Sequence, residues 1–461
     1  MAEQTPSARR FLATLRSGDA AEMRALLASD RWLREQVDEP WGYFDAPALV
    51  EASSRGDADM MRVLVEAGAD VNARSGWEPG GSGVLDSERV ELWVKEWCAD
   101  GTPVMTEVFN DFRLRGLTVD AHAAANLGDL AMLRRLIDER PDCVNERGRD
   151  GASPLHMART PAIVDVLVDS GADVDMRDID HGATPAQWAI DEPAVCTRLI
   201  ERGATPDIYV ACALGDIAIA DRVLADNPDA LRSRSNYGPH MDGRPPGGHM
   251  YIYRMGVGMR PLPFASTRSH DEFVEELLER ASPAEQLIYA AWTGDRARTM
   301  ALVDANPGLV ASLATDESRA ISDAAWNNNC EGVALMLEVG FPVDARGDDS
   351  GTPLDRAAVR GYADIVEVLL GHTPSLEVTN DFGGTPLGGA IWGAANFRDP
   401  NGNYARTVDL LAAVEANLNR REDDGQTHLD RAVASDRDDV AQALQRHGGL
   451  RSSELPGRPL G

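Results

Sequence analysis

Lysine is nearly missing from this chain. Of its 45 basic residues only Lys95 is not arginine, and 75 Asp and Glu outnumber them, for a formal net charge of −30. Such acidity repels phosphate backbones and anionic membranes, so nucleic acid and membranes are not expected as partners, whereas a basic protein or peptide is easier to accommodate. The plainer role, preferred here, is that the charge keeps a long molecule soluble. Cysteine is scarce too: five residues (Cys98, Cys143, Cys196, Cys212, Cys330) lie scattered without a CxxC pair. That fits a reducing cytoplasm and argues against a disulfide frame or a zinc site. No apolar run reaches the roughly 20 residues that a membrane helix needs. The N-terminal MAEQTPSARRFLATLRSGD has no apolar core of the signal-peptide kind.

The signatures of common chemistry are missing as well. GVGMRP at 256–261 lacks the further Gly and the Lys of a phosphate loop. The DFG at 381–383 stands without the glycine loop, strand Lys and HRD segment of a kinase. No HExxH occurs, and His240, His249 and His270 are close in sequence but not at metal-ligand spacing. Asp178, Asp180 and His181 have the residue types of an acid–base cluster, yet they fall where a turn is expected, and Asp is a turn former. No Ser or Cys shows a partnered base. No catalytic, cofactor-binding or metal-binding residue is assigned, and no cofactor is expected.

What the chain does contain is a repeated frame. GTPLDRAAVRGYADIVEVLLG at 351–371 holds two apolar stripes of helical spacing with Gly361 between them. Related stretches occur at 48–73, 151–174, 182–204, 384–392 and 425–448. Each part has a physical reason. Thr352 and Thr385 suit the N-cap and Pro353 and Pro386 the first helical turn. Ala357 and Ala358 allow a second helix close by. Ile365, Val366, Leu369 and Leu370 give that helix its apolar face. Gly68, Gly171 and Gly203 suit its left-handed end. Asp150-Gly151 and Asp424-Gly425 make the next turn. His156, in SPLH, reads as a local structural residue.

This frame resembles the ankyrin repeat, whose period is about 33 residues with two helices and a β-turn. The resemblance covers nearly the whole chain, with degenerate units at 8–30, 121–140, 208–228, 260–281, 284–305 and 318–340, and with His428 where Pro is usual. It implies an all-α ankyrin-repeat solenoid of about twelve helix–turn–helix units over residues 1–449, followed by a disordered tail at 450–461. Hairpin insertions interrupt it at 75–117 and 231–259, and an inter-helix loop insertion at 394–405. In 231–259, Tyr251, Tyr253 and Met255 alternate as on a strand. An extended finger beside the groove is expected, the alternative being a loop packed on its own solenoid.

One register position is unusual. The residue after each alanine pair, or after Ala390-Ile391 in the last unit, is Trp292, Trp326, Val359 and Trp392 in successive units, at spacings of 34, 33 and 33. By the resemblance this position ends the inner helix and faces the concave groove. The alternative is edge packing of each Trp on the next unit. Two functions follow. The first is a non-enzymatic scaffold that binds a protein or peptide partner in the groove through Trp292, Trp326, Trp392, Tyr251 and Tyr253. The second is an enzyme or small-molecule binder whose pocket lies beneath the finger, with His240, Asp242, His249 or Arg254 as polar groups.

Overall fold

Helices in this protein are too short to stand alone. In the computed structural model, which describes residues 5–76, 80–87, 89–97, 103–241, 243, 245, 248–422 and 424–455, the longest is Pro6–Ser17, at 12 residues. Isolated helices of that length are marginal in water, so each must be held by its neighbours. The chain forms two compact units, one of Met1–Leu214 with His240–Met250, the other of Gly215–Pro239 with Tyr251–Gly461.

Both units are stacks of helix pairs. In the first, Ala48–Arg55 pairs with Ala58–Glu66, Ala121–Leu127 with Leu130–Glu139, and Pro185–Trp188 with Pro193–Glu201. In the second the series includes Pro283–Trp292 with Arg296–Ala305, Ala320–Trp326 with Cys330–Glu338, Pro353–Arg360 with Ala363–Leu370, Pro386–Asn396 with Tyr404–Ala413, and His428–Ala434 with Asp438–Arg446. The fold is all-α, with one small two-stranded antiparallel ribbon, Lys95–Trp97 against Pro103–Met105, among the described residues.

The local code operates as its residue types require. The hydroxyl of Thr352 accepts from the Asp355 N–H at 3.2 Å, and Pro353 follows it at the first helical position. Gly361 ends that helix at φ 71°. Outer helices start at Asp: Asp57, Asp129, Asp216 and Asp295 each accept from the N–H three residues on, at 2.9–3.0 Å. In the unit at 151–174 the inner helix shrinks to one 3-10 turn, Pro154–Met157. The reason is Pro161, which starts the outer helix and disfavours helical backbone just before it.

Two interactions join one repeat to the next. The first is apolar: Leu287, Ile321, Val333, Leu354, Val366, Leu369, Leu411 and Leu444 belong to one continuous buried cluster in the second unit, as do residues from Phe11 to Phe112 in the first. The second is a polar ladder along the turns. Asn145 accepts from the Asp173 N–H at 2.9 Å, Asp175 from Thr205 at 2.9 Å, Asp344 from Ser375 at 3.0 Å and Asn419 from Leu450 at 2.7 Å. Asn72 makes the same bond to Thr118 at 2.8 Å, spanning the whole 75–117 insertion.

Two expectations need correction. Residues 251–255 are a helical turn, Tyr251–Met255, and the alternation of Tyr251, Tyr253 and Met255 does not mark a strand. Nor does the 231–259 insertion stand free. Its flanks pack on the second unit: Asn327 Nδ2 donates to Val257 O at 2.7 Å, and Ser235 Oγ to Gly256 O at 2.6 Å. Its centre packs on the first unit, where Arg177 and Gln187 both donate to His240 O at 3.2 Å. The stretch expected to be a disordered tail is tied down over 450–455, where Asp430 accepts from the Ser452 N–H at 2.9 Å and Arg421 donates to Ser452 O at 2.9 Å. Residues 456–461 lie outside the described residues.

Glycine at 393 sets the closest helix approach in the second unit. A Cβ there would lie 1.8 Å from Val359 O. In an open helix Gly→Ala stabilises by about 1 kcal/mol. Here Gly393→Ala should instead destabilise, by about 1–3 kcal/mol from overpacking. Leu369→Ala, at a fully buried position, should cost about 2–5 kcal/mol. Urea unfolding followed by circular dichroism measures both, and a more stable Gly393→Ala would refute the close-packing account.

Candidate functional site

The inner helices Ala320–Trp326, Pro353–Arg360 and Pro386–Asn396 carry an aromatic and arginine cluster in the second unit. Trp326, at the end of the first, is edge-on to Phe397 with ring centroids 5.7 Å apart. Trp392 meets the same Phe397 at 5.2 Å, again edge-on. From the middle helix, Arg356 and Arg360 place their guanidiniums 5.0 and 5.2 Å from the Trp326 ring, and Arg360 lies 5.2 Å from Phe397. Guanidinium over an aromatic face is an attractive arrangement, stronger as water is excluded.

Carboxylates fix these arginines. Arg356 pairs with Asp349 and Arg360 with Asp399, both at 2.5 Å. Tyr362 OH donates to Asp399 at 2.9 Å and receives a bond from Arg360 Nε at 3.2 Å. The 394–405 insertion therefore delivers both Phe397 and Asp399 to the cluster. The surface it leaves is apolar: Trp392 is 50% exposed and Phe397 41%.

The helix that ends in Trp326 also carries Asp323, part of a charged set in which Arg234 and Asp323 are buried and Asp348 is exposed. Arg234 makes two bonds to Asp348 at 2.8 Å, and Asp323 stands 3.8 Å from the same guanidinium. Gly258, at φ +77°, brings the chain so close that a Cβ would sit 2.5 Å from the Asp323 carboxylate. Burial pushes Asp323 up to about 6 despite Arg234 and Arg260, and Asp355 likewise, despite a bond from Asn380. Burial also acts to raise Asp348, but the bonds from Arg234 and Asn236 prevail and hold it at about 2.

The other expected contacts fare unevenly. Trp292 is half-buried and packs against the core, and its carbonyl accepts from Asn329 at 2.7 Å. Trp326 turns toward the following repeat, under Arg356 and Arg360. Tyr253 is 62% exposed, whereas Tyr251 is fully buried and presents nothing to a partner. Tyr251 therefore leaves the candidate set: as the first residue of a helical turn its ring points inward. Phe397 enters it. Its signal in the sequence was weak, because it lies in an insertion outside the repeat register.

In the first unit, His240 and His249 are buried with ring centroids 4.8 Å apart, and Tyr209 is 5.3 Å from His240. Burial, reinforced by His240 and Arg177, pushes His249 down to about 2. Asp242, the other group considered for a pocket there, lies outside the described residues. Asp178 accepts from the backbone N–H groups of His181 and Ala183 and from Trp188 Nε1 at 2.9 Å, as a turn-forming residue should. His156 is also local: it receives the Ser153 N–H at 3.0 Å, and its Nε2 meets Ala183 O at 3.1 Å. Burial raises Cys196 to about 12, and raises Cys143, Cys212 and Cys330, so these thiols stay protonated at neutral pH. Among the described residues no group of three or more metal-ligating side chains is gathered.

Comparison with known proteins agrees with this geometry. The family profile "Ankyrin repeat" matches residues 46–76, and "Ankyrin repeats (3 copies)" matches 121–210. The chain carries ankyrin repeats over these two stretches. A curated relative, Ankyrin repeat and SAM domain-containing protein 6 of Mus musculus, is 30% identical over 115 residues. That alignment covers 24% of this chain and 13% of the mouse protein. Ankyrin repeats point to a protein–protein interaction scaffold. No described helix of this ankyrin-repeat protein is long and apolar enough to cross a membrane.

Two outcomes follow for the site. Trp392→Ala should change stability by less than about 0.5 kcal/mol, as surface changes do, while Trp292→Ala should cost about 1–3 kcal/mol by unpacking the core edge. Melting temperatures of the two variants decide this. Asp323 has a folded pKa of about 6, raised from 3.8. Its proton is therefore held by the folded state through that interval, and its contribution is fully present below it and lost as pH rises through 6. The difference in unfolding free energy between Asp323→Asn and wild type should thus increase from pH 4 to pH 7, by up to about 3 kcal/mol. Urea titrations at those two pH values measure it, and a pH-independent difference would overturn the assignment.

Proposed function

We propose that this protein is a non-enzymatic scaffold whose second unit grips a protein or peptide segment at the Trp326, Trp392 and Phe397 cluster. The observation that carries this reading is the pair of exposed rings, Trp392 and Phe397, held edge-on 5.2 Å apart. Large aromatic groups fixed in one geometry lose little entropy on binding and are typical anchors of an interface. The arginines beneath are already neutralised by Asp349 and Asp399, so the patch offers an apolar seat rather than a cationic one. The chain as a whole is strongly acidic, which favours a partner with Lys or Arg flanking an apolar or aromatic side chain. Trp292 and Tyr253 would extend the contact at its margins. A cytoplasmic setting accords with the scattered, protonated thiols.

Selection from a random peptide library on the full chain tests the reading. Enriched peptides should carry an aromatic or large aliphatic residue beside Lys or Arg. Their affinity, by calorimetry, should fall at least about tenfold, or 1.4 kcal/mol, for Trp392→Ala with Phe397→Ala. Equal binding by that double variant would place the interface elsewhere.

A further inference from the structure

A second concavity lies in the first unit, where the 75–117 insertion meets the inner helix Ala48–Arg55. Its volume is about 280 Å³, near the lower end of small-ligand pockets. Its polar lining consists of Ser53, Ser54, Ser82, Ser87, Arg89 and Arg149. Among the described residues no carboxylate lines it, in a chain where Asp and Glu number 75 against 45 Lys and Arg. The nearby Asp86 is buried, and its Oδ2 is taken by Arg74 at 2.9 Å and the Gly83 N–H at 2.7 Å.

The donors are placed for an anion. Arg149, which lines the cleft, is oriented by two bonds, Nη1 to Asp86 O and Nε in an ion pair with Asp150, each 2.9 Å, and neither uses Nη2. Arg89 is exposed and forms no ion pair among the described residues. The Ser87 hydroxyl oxygen receives the Arg89 N–H at 3.0 Å, so its own O–H remains to donate. Ser82 is fixed through its backbone, its N–H bonded to Ser75 Oγ at 2.9 Å. Ser53 and Ser54 line the inner-helix wall and donate to carbonyls of their own helix at 2.8 Å. The concavity on the outer helices differs in its lining, which includes two carboxylates, Asp165 and Glu201, each bound to Arg198 at 2.7 Å.

We infer that this serine and arginine cleft binds a phosphate ester. Two guanidiniums and two or more hydroxyls match the donor set that a phosphate dianion requires, and the net charge of the chain elsewhere repels it. The ester can come from a phosphorylated side chain of a partner or from a free small molecule. This site is independent of the aromatic cluster.

Calorimetry on the full chain distinguishes the two sources, with O-phosphoserine as the free ester and a capped Gly-phosphoserine-Gly peptide as the side chain. Saturable binding of either probe, with shifts in the Ser82 and Ser87 amide resonances, is the expected result, and the tighter of the two names the source. Arg89→Gln, at an exposed position that should not disturb folding, should weaken binding by about tenfold or more, in keeping with loss of a charge-assisted hydrogen bond. Absence of saturation with both probes up to about 10 mM, weaker than any specific site of this kind, would overturn the inference. So would binding that Arg89→Gln leaves unchanged.

Discussion

Every structural feature here depends on one dependence: no helix pair can be folded without the pair beside it. Helices of this length lose more chain entropy than their internal hydrogen bonds return. What compensates is the burial of Leu, Ile and Val across the seam between successive pairs, with alanines letting the helices approach. The sequence spends its small residues where this approach is closest. Ala357 and Ala358 are wholly buried, and Gly389 and Gly393, four residues apart on one helix face, meet Val359 of the preceding repeat. That contact draws the inner helices together, and the spacing between Trp326, Arg360 and Phe397 follows from it.

This dependence also explains what could be read beforehand. Thr-Pro, the alanine pair and the closing Gly act within a few residues, so their consequences are local and visible: Thr352 caps, and Gly68, Gly171 and Gly203 turn left-handed. The register of Trp292, Trp326 and Trp392 was visible for the same reason. Their surroundings were not, because these depend on residues one or two repeats away. Trp326 faces arginines 30 and 34 positions on, and Trp392 faces a phenylalanine that belongs to no repeat. Tyr251 misled because alternation over five residues does not distinguish a strand from a helical turn whose side chains divide between core and solvent.

The insertions are the least repetitive parts, and they import polar groups that the repeats lack. Residues 231–239 bring Arg234 and Asn236 to Asp348, while 256–259 lie against Asp323 and Asn327. Burying Arg234 and Asp323 contributes little net stability, since desolvation offsets attraction, but removal of one partner from such a set is costly. Its effect is positional. It holds an irregular segment against the inner helix that carries Asp323 and is followed by Asn327. The 394–405 insertion does the reverse, adding Phe397 to that surface and fixing Arg360 through Asp399.

The near absence of lysine has a structural cause in these stacks. Arginines recur a few residues before the turn Gly of several repeats, and these reach beyond their own turn. Arg147 donates to Gly151 O and to Arg177 O, the latter at 2.9 Å. Arg346 donates to Ser350 O and to Thr379 O at 3.0 Å, and Arg421 reaches Ser452 O at 2.9 Å. One planar group thus satisfies a carbonyl of its own turn and one of the next. A guanidinium has five donors in a fixed fork, whereas an ammonium is a compact, strongly hydrated point charge that gives up more hydration for the same bonds. The same flatness lets Arg356 and Arg360 stack on Trp326 and Arg437 on Tyr404. Turns that must be stitched to their neighbours, and aromatic rings that must be held in place, both select arginine. An acidic surface then keeps so many guanidiniums compatible with a folded chain.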